Sequence, residues 1–282
     1  MDSKTVLTGI FGYPVGHSMS PLMHNAAFQA LGLNYRYGAF SIPGHSLKSA
    51  VEGIRALGFR GVNVTIPHKV EVMEYLDEID DEALQIGAVN TIVNENGKLI
   101  GYNTDGQGYV CSLLQEWETP LSGKKVVILG AGGAARAVAV SLARHGVKEM
   151  VIANRSVEKA QGLAEHVQNL VKASAISMED LNRGKKLEVD LLINTTSVGM
   201  YPNIHNVPIS LDLIHDGLMI SDLIYNPLNT ELLIKGKEVG AKTMNGLGMF
   251  IHQGSLAFEL WTGMKPPVDL MKETVLKQLK NS

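Results

Sequence analysis

From Val126 to Arg136 the chain reads VVILGAGGAAR, a continuous apolar run followed at once by glycines. Gly130, Gly132 and Ala135 fill the three special positions of the pattern G-x-G-x-x-G/A. The first permits a tight turn, the second lets backbone approach a pyrophosphate, and the third keeps helix and strand close. A buried-strand pattern before the turn and a helical pattern after it are the setting in which such amides, with the positive end of a helix, face phosphates. The plain alternative is a strand-to-helix turn that holds nothing. Chains that bind NAD usually place an acid on the ribose about 20 residues further on. Here that place reads Asn154-Arg155-Ser156, with Lys159 one turn later. Two cations around a hydroxyl suit a 2′-phosphate dianion, so the expected cofactor is NADP rather than NAD.

A second polar group lies nearer the N-terminus. GVNVTIPHK (61–69) alternates, which puts Asn63 and Thr65 on one strand face and Lys69 just past the strand end. Ligands of open α/β sheets bind beyond the carboxyl ends of strands, and two short polar side chains with an amine suit a hydroxylated substrate. In GYPVGHSMSP (12–21), Ser18 and Ser20 stand at a helix start, where hydroxyls, unpaired amides and the helix dipole can hold a carboxylate. GYNTDG (101–106) puts Asp105 at another helix start. Each segment also has a plain reading: a solvated strand face with a surface lysine, an N-cap at Ser20, and a first-turn acid at Asp105 with Thr104 and Gln107 as a capping box. Taken singly, the plain reading is the stronger for the Lys69 segment and for Asp105. His17, His24 and His68 lack metal-ligand spacing with any acid or cysteine, and no H-E-x-x-H, G-x-S-x-G or Walker lysine occurs, so no metal is expected, nor an acyl hydrolase or a P-loop kinase.

These residues need elements to hold them. The chain has 282 residues, about two domains at roughly 100–200 residues each. With 45% hydrophobic and 19% charged residues it can bury a sizeable core, which excludes disorder and miniature disulfide folds. A net charge of −3 offers no basic field, so neither nucleic acid nor an anionic membrane is an expected partner. Cys111 is the single cysteine; it excludes a disulfide framework and fits a reducing, cytoplasmic setting. No export or membrane segment is expected either. The first apolar residues are broken by Gly9, Gly12, Pro14 and Gly16, and the 15-residue stretch Val126–Val140 carries Arg136 and three glycines.

Short β-branched runs alternating with helical patterns predict an α/β fold with a parallel sheet. A helix opens at Ser20-Pro21 with Met23, Ala26, Ala27, Ala30 and Leu31 on its buried face. Another begins near Ser46 with Leu47, Ala50, Val51 and Ile54 inward and Gly58 at its end. Val62, Val64 and Ile66 form one face of a strand that stops at Pro67, and 88–102 reads as a hairpin turning at Asn96-Gly97. From Lys124 the texture is that of a doubly wound domain: strands at 124–129 and 150–153, further strands at 189–193, 218–222 and 241–244, and a helix from Gly130 to about His145. The expected organisation is a substrate-binding domain (1–105), a Rossmann-type NADP domain (106–245), and helices from 246 to 282 packing back on the first domain.

In combination and in order, nine segments resemble shikimate dehydrogenase: GYPVGHSMSP, GVNVTIPHK, GAVNT (87–91), GYNTDG, GAGGAAR, NRS (154–156), NTTSVGM (194–200), DLIYNP (222–227) and NGLGMFIHQG (245–254). The resemblance covers nearly the whole chain. It implies NADP-dependent interconversion of shikimate and 3-dehydroshikimate in aromatic amino acid biosynthesis, by a monomer or homodimer. It makes Lys69 and Asp105 the catalytic pair, Ser18 and Ser20 the carboxylate ligands, and Asn63, Thr65, Asn90 and Gln253 the ring-hydroxyl ligands, with Tyr225 a further substrate contact. It assigns Gly130, Ala131, Gly132, Gly133 and Ala134 to the phosphate turn and Asn154, Arg155, Ser156 and Lys159 to the adenosine-phosphate clamp. Thr195, Met219, Gly246 and Met249 are then expected near the nicotinamide. Ser156 stands where the family often has Thr, and Lys159 where Arg is frequent; the hydroxyl and the charge are kept, the bidentate geometry is not. Two rivals remain: a quinate/shikimate dehydrogenase with broader substrate or NAD use, which the basic 154–159 segment opposes in its NAD part, and a non-catalytic NADP-sensing module, which would not need both Lys69 and Asp105.

Overall fold

The computed structural model describes residues 2–184 and 186–280. The chain divides into two compact units, one taking in the chain up to Asp105 and again from Ile251, the other running Gly106–Phe250. Residues 246–250, expected with the returning tail, thus belong with the second unit.

The first unit is built on strands β1 (Val6–Gly12), β2 (Tyr35–Ser41), β3 (Gly61–Val64), β4 (Glu78–Ile79), β5 (Thr91–Glu95) and β6 (Lys98–Tyr102), in the order β2-β1-β3-β5-β6-β4. β1 runs parallel to β2 and β3, whereas β5 is antiparallel to β3 and β6. The sequence pattern missed β1 and β2, because glycines at 9, 12 and 38 and polar residues interrupt their alternation. The β5–β6 hairpin turns where expected: Asn96 (φ 55°) and Gly97 (φ 95°) both adopt the left-handed conformation that a type I′ turn demands.

Val62 and Val64 pack into a core with Leu47, Val51 and Ile54 of α2 (Leu47–Ala56), where truncating Ile54 to Ala would cost about 2–5 kcal/mol. Ile66, expected on the same face, is 71% exposed, because β3 ends at Val64 and the chain turns away. In α1 (Ser20–Ala30) the buried stripe is Met23, His24, Ala27 and Phe28. Ala26, Ala30 and Leu31 lie off it, where His24 and Phe28 are buried in their place.

The tail completes this unit. Within it, the Trp261 indole N–H donates to the Ile92 carbonyl at 3.0 Å and the Arg60 guanidinium to the Trp261 carbonyl at 2.9 Å. A Cβ on Gly61 would lie 2.3 Å from the Trp261 Nε1, so glycine is what lets the ring seat on β3. The C-terminal helix (Val268–Lys280) packs on α1.

The second unit is a six-stranded, all-parallel sheet. Continuing in chain order, its strands are β7 (Lys125–Leu129), β8 (Glu149–Asn154), β9 (Lys172–Ser177), β10 (Leu191–Asn194), β11 (Met219–Asp222) and β12 (Lys242–Met244), arranged β12-β11-β10-β7-β8-β9. That is the doubly wound order whose switch point lies between its first and fourth strands, here β7 and β10. β7 and β10 are apolar and buried because helices cover both faces. β9 (KASAIS) escaped the sequence reading, since its small residues give no apolar run. Among the described residues no helix is long and apolar enough to cross a membrane.

Candidate active site

In the first unit one connected polar cluster gathers side chains from three segments. Lys69 follows β3 in a turn held by the His68 amide on the Thr65 carbonyl (3.0 Å) and the Val89 amide on the Lys69 carbonyl (2.7 Å). Its Nζ donates to Asp105 Oδ2 at 2.5 Å, the two side chains being 15% and 7% exposed. Asn90 Nδ2 donates to Asp105 Oδ1 at 2.9 Å and to Thr104 Oγ1 at 2.9 Å, while Asn90 Oδ1 accepts from the Thr104 amide at 2.8 Å. Asn103 Oδ1 accepts from the Asp105 amide at 3.0 Å, and Asn103 Nδ2 donates to the Ala88 carbonyl. Thr104 is therefore engaged with Asn90 and not with a capping box, and the acid is aimed rather than merely tolerated at a helix start. Asn63, buried on the face of β3 opposite Val62, donates to Thr91 Oγ1 at 3.0 Å, and Thr91 Oγ1 donates in turn to Asn90 Oδ1 at 3.0 Å. Asn63, Asn90, Lys69 and Asp105 thus form one network. Thr65 lies one residue past β3, its amide donating to the Phe11 carbonyl at 2.9 Å. Gln253, also in this unit, is partly buried on the helix Leu247–Thr262.

The serines exchange their expected roles. The first helical residue is Ser20, and the preceding Met19 holds the N-cap position without a side-chain cap bond. The cap-like oxygen belongs to Ser18, whose Oγ accepts from the Ser20 amide at 3.3 Å. Ser20 itself is buried.

In the second unit, the helix Gly133–Arg144 starts directly after the glycine turn. Gly130 has φ +108°, and a Cβ there would stand 2.6 Å from Thr195 Oγ1, so that position admits only glycine. Thr195, just past β10, donates its hydroxyl to the Leu129 carbonyl at 2.7 Å, which ties the two switch-point strands together at their carboxyl ends. Beside the turn, Ala131, Gly132, Asn154, Arg155, Ser156 and Lys159 line a cleft of about 550 Å³. A Cβ on Gly132 would meet nothing within 4 Å, so the backbone there faces open space. Free amides at a helix start, a guanidinium and an amine form a donor set that fits an anionic dinucleotide with a 2′-phosphate. One acid does stand here: Glu158 accepts from the Ser156 hydroxyl at 2.7 Å. Ser156 is thereby pre-engaged, a contact the sequence reading overlooked two residues away.

Gly246 and Tyr225 also lie in this unit. A Cβ on Gly246 would fall 1.9 Å from the Leu223 carbonyl oxygen, and Tyr225 stacks on Phe250 at 4.5 Å. Met249 is buried. Met219, expected near the nicotinamide, stands away from the glycine turn. It is the first residue of β11, in register with Leu191 and Lys242 at the amino ends of their strands and 2% exposed. That is about 10 Å from the carboxyl edge where the turn lies.

At the carboxyl edge the sequence reading missed a buried hub. Asp222 accepts from Asn194 Nδ2 (3.0 Å), the Ile224 amide (3.0 Å) and Thr230 Oγ1 (2.8 Å). Burial pushes its carboxyl up to about 6, against the pull of those three donors. Asn194 Oδ1 takes the Thr196 amide and hydroxyl at 3.1 and 2.7 Å, so the hub shapes the loop that carries Thr195.

The comparisons with known proteins agree along the chain. Residues 10–92 match the family model of the shikimate dehydrogenase substrate-binding domain, 112–206 that of shikimate/quinate 5-dehydrogenase, and 246–276 the C-terminal domain of shikimate 5′-dehydrogenase. A shikimate dehydrogenase (NADP+) of Bacillus cytotoxicus is 50% identical over 97% of this chain and 98% of its own length. A shikimate dehydrogenase solved in complex with NADP+ superposes with a TM-score of 0.91 at 48% identity, covering 99% of this chain and 97% of that one. A Listeria monocytogenes shikimate 5-dehydrogenase, solved with shikimate and NAD, gives 0.89 at 41% identity over 98% of each chain.

Proposed function

We propose that this chain, which belongs to the shikimate dehydrogenase family, interconverts shikimate and 3-dehydroshikimate with NADP, a step of aromatic amino acid biosynthesis. The observation that carries this reading is the Lys69–Asp105–Asn90 cluster at 2.5 and 2.9 Å, in the same network as Asn63. Bound NADP supplies the hydride acceptor and its reduced form the donor; everything else is the work of side chains.

Ser18 and Ser20, at the start of α1, receive the carboxylate, where hydroxyl donors and the helix dipole stabilise it without a buried cation. Asn63, Thr65, Asn90 and Gln253 bind the ring hydroxyls, and Tyr225 adds a contact. Ketone reduction needs a proton at the carbonyl oxygen. The Lys69 ammonium donates it, and the amine left behind keeps its hydrogen bond to Asp105. Alcohol oxidation runs the same transfer backwards, from the hydroxyl to the Lys69 amine. Asp105 has one oxygen on Lys69 and the other on Asn90, so it acts as the orienting partner and Lys69 as the group that meets the substrate. Gly130 to Ala134 hold the pyrophosphate, while Asn154, Arg155, Ser156 and Lys159 hold the adenosine phosphate. Thr195, Gly246 and Met249 flank the nicotinamide.

We read the enzyme as cytoplasmic, and as a monomer or homodimer that takes small-molecule partners only. The test is an absorbance assay of the purified protein with shikimate or quinate and NADP or NAD. Turnover of shikimate with NADP is expected to dominate. Preference for quinate or NAD would favour the broader dehydrogenase, and no turnover with any pair would favour a sensor.

A further inference from the structure

Asn194 and Asp222 end the neighbouring strands β10 and β11, in register with each other and fully buried. Each leads into a segment that carries a residue assigned above to the reaction: Thr195 directly follows Asn194, and Tyr225 lies in the loop after Asp222. Asp222 Oδ1 accepts from Asn194 Nδ2 and from the Ile224 amide, both at 3.0 Å, and Oδ2 accepts from the Thr230 hydroxyl at 2.8 Å. Three segments thus converge on one carboxylate: the end of β10, the loop after β11 and the start of the helix Glu231–Glu238. Every partner is a donor. The Thr230 oxygen already accepts the Leu233 amide at 3.4 Å as the cap of that helix, so its own proton is free for Asp222.

Both loops are held on their other side as well. Ile224 gives its amide to Asp222 and takes the Gly246 amide on its carbonyl at 2.9 Å, so the backbone just before Tyr225 is gripped at both ends. The Tyr225 ring then lies on Phe250 with planes 25° apart. In the other loop Asn194 takes the Leu223 amide on its carbonyl at 2.9 Å, and its Oδ1 takes the Thr196 amide and hydroxyl. Thr195 stands between those anchored neighbours, its own amide donating to the Leu129 carbonyl at 3.0 Å.

An apolar pair at these two strand ends would be easier to bury than an amide and a carboxylate. What the carboxylate adds is direction. Its two oxygens fix two loops to one helix start, and thereby to each other.

We propose that Asp222 is a positioning residue that sets the nicotinamide residue Thr195 and the substrate residue Tyr225 relative to each other, through Asn194 and Ile224, with Thr230 as its anchor. Oδ1 is the arm that reaches both loops, and Oδ2 is the fixed end. The proposal rests on the roles given to Thr195 and Tyr225 above.

The test follows hydride transfer in a single turnover, by the absorbance of the reduced cofactor, beside the shikimate Michaelis constant, the NADP dissociation constant and a thermal melt. In Asp222→Asn the amide nitrogen takes the place of Oδ2, since the opposite orientation would set it against two donors at once; the anchor is lost and the arm stays. Hydride transfer should slow about 10- to 100-fold, the scale of a misplacement of about 1 Å. The shikimate constant should rise about 3- to 10-fold. NADP binding, which rests on Arg155 and the glycine turn, should not change. Thr230→Val removes the anchor from its other side and should show the same losses, even if Asp222→Asn fails to fold, and Thr230→Ser should avoid them. The two changes combined should cost no more than either alone. Asn194→Ala cuts only the arm to Thr195, so it should slow hydride transfer and spare the shikimate constant. Lowered melting temperatures with natural hydride transfer in Asp222→Asn and Thr230→Val would make the hub purely structural and overturn the proposal. Thr195→Val and Tyr225→Phe test the reading beneath it. If neither lowers the rate or shikimate affinity, the roles of those residues fall and the positioning with them; if both do while the hub variants keep natural rates, the positioning alone falls.

Discussion

Asn90 grips Asp105 from the side opposite Lys69: its Nδ2 donates to Oδ1 at 2.9 Å while the lysine occupies Oδ2 at 2.5 Å. The carboxylate is held at both oxygens, so the amine it orients is held too. Lys69→Ala should cut turnover by about 10²- to 10⁴-fold, the usual worth of a general acid–base group. Oxidation needs an unprotonated acceptor, so its rate should rise with pH in the natural enzyme and flatten in this variant. Initial rates in both directions across the neutral and alkaline range check this. A rise in the shikimate Michaelis constant alone, at full turnover, would make Lys69 a binding group.

Because the pair acts as a unit, Lys69→Ala combined with Asp105→Asn should cost less than the product of the single losses. Asn90→Ala should follow the same logic at smaller size, lowering turnover by about 10-fold or more through a loosened Asp105. Single-turnover rates with saturating substrate separate that loss from weakened hydroxyl binding.

Arg155→Ala should raise the NADP Michaelis constant about 10- to 100-fold, given roughly 1.5–3 kcal/mol for a hydrogen bond to a charged group, and leave NAD use nearly unchanged. Glu158 adds a prediction of opposite sign. Its carboxylate competes with a 2′-phosphate for the Ser156 hydroxyl, so Glu158→Gln should lower the NADP constant, most visibly at low salt. Equal losses with both cofactors in Arg155→Ala would mean that Arg155 supports the fold instead.

The serine exchange alters what each variant should do. Ser18→Ala removes the oxygen that caps the Ser20 amide, so it should lose up to about 1 kcal/mol of stability along with shikimate affinity. Ser20→Ala removes no cap and should show its loss mainly in shikimate binding. Thermal melts beside binding titrations separate the two; normal binding by Ser18→Ala would move the carboxylate elsewhere.

Two buried groups oppose each other in acid. The His24 pKa falls from 6.5 to about 3 on folding. Below pH 6.5 the unfolded chain takes a proton that the folded chain refuses, and stability drops as pH falls, by at most about 1.4 kcal/mol per pH unit. Asp222 rises from 3.8 to about 6, so the folded chain takes up the proton first and stability recovers as pH falls through that window. His24→Phe should therefore flatten the acid loss in the first unit, and Asp222→Asn should steepen it in the second. Hydrogen exchange resolved by unit, measured from neutral to acid, reads both; equal slopes in all three proteins would show that neither proton is linked to folding.

The parts legible in the sequence were those with a one-dimensional signature. VVIL before the glycines announced a buried strand, and Asn96-Gly97 announced its turn, because one local backbone conformation demands one residue type. β9 was invisible because small residues carry no hydrophobic pattern. Met219 misled because its neighbourhood in the chain is right while its end of the strand is wrong. Asp222 could not be read at all: what it does depends on Asn194, far along the chain on the neighbouring strand, and no spacing rule encodes such a contact. Ser20 looked like a cap for a different reason. Its type suits the role, but it is already the first helical residue, and Met19 stands at the cap position.

Trp261 bears on how the molecule is made. The first sheet needs the Trp261 indole on β3 and β5, and His24 needs Phe258 and Trp261 against its ring. Those residues are synthesised after the whole of the second unit, which is one continuous stretch. The order of completion on the nascent chain is therefore the reverse of the order in the gene: the later domain closes first. Until Phe258 and Trp261 emerge, the earlier one waits with His24 open to water, free to take the proton that the folded unit denies it.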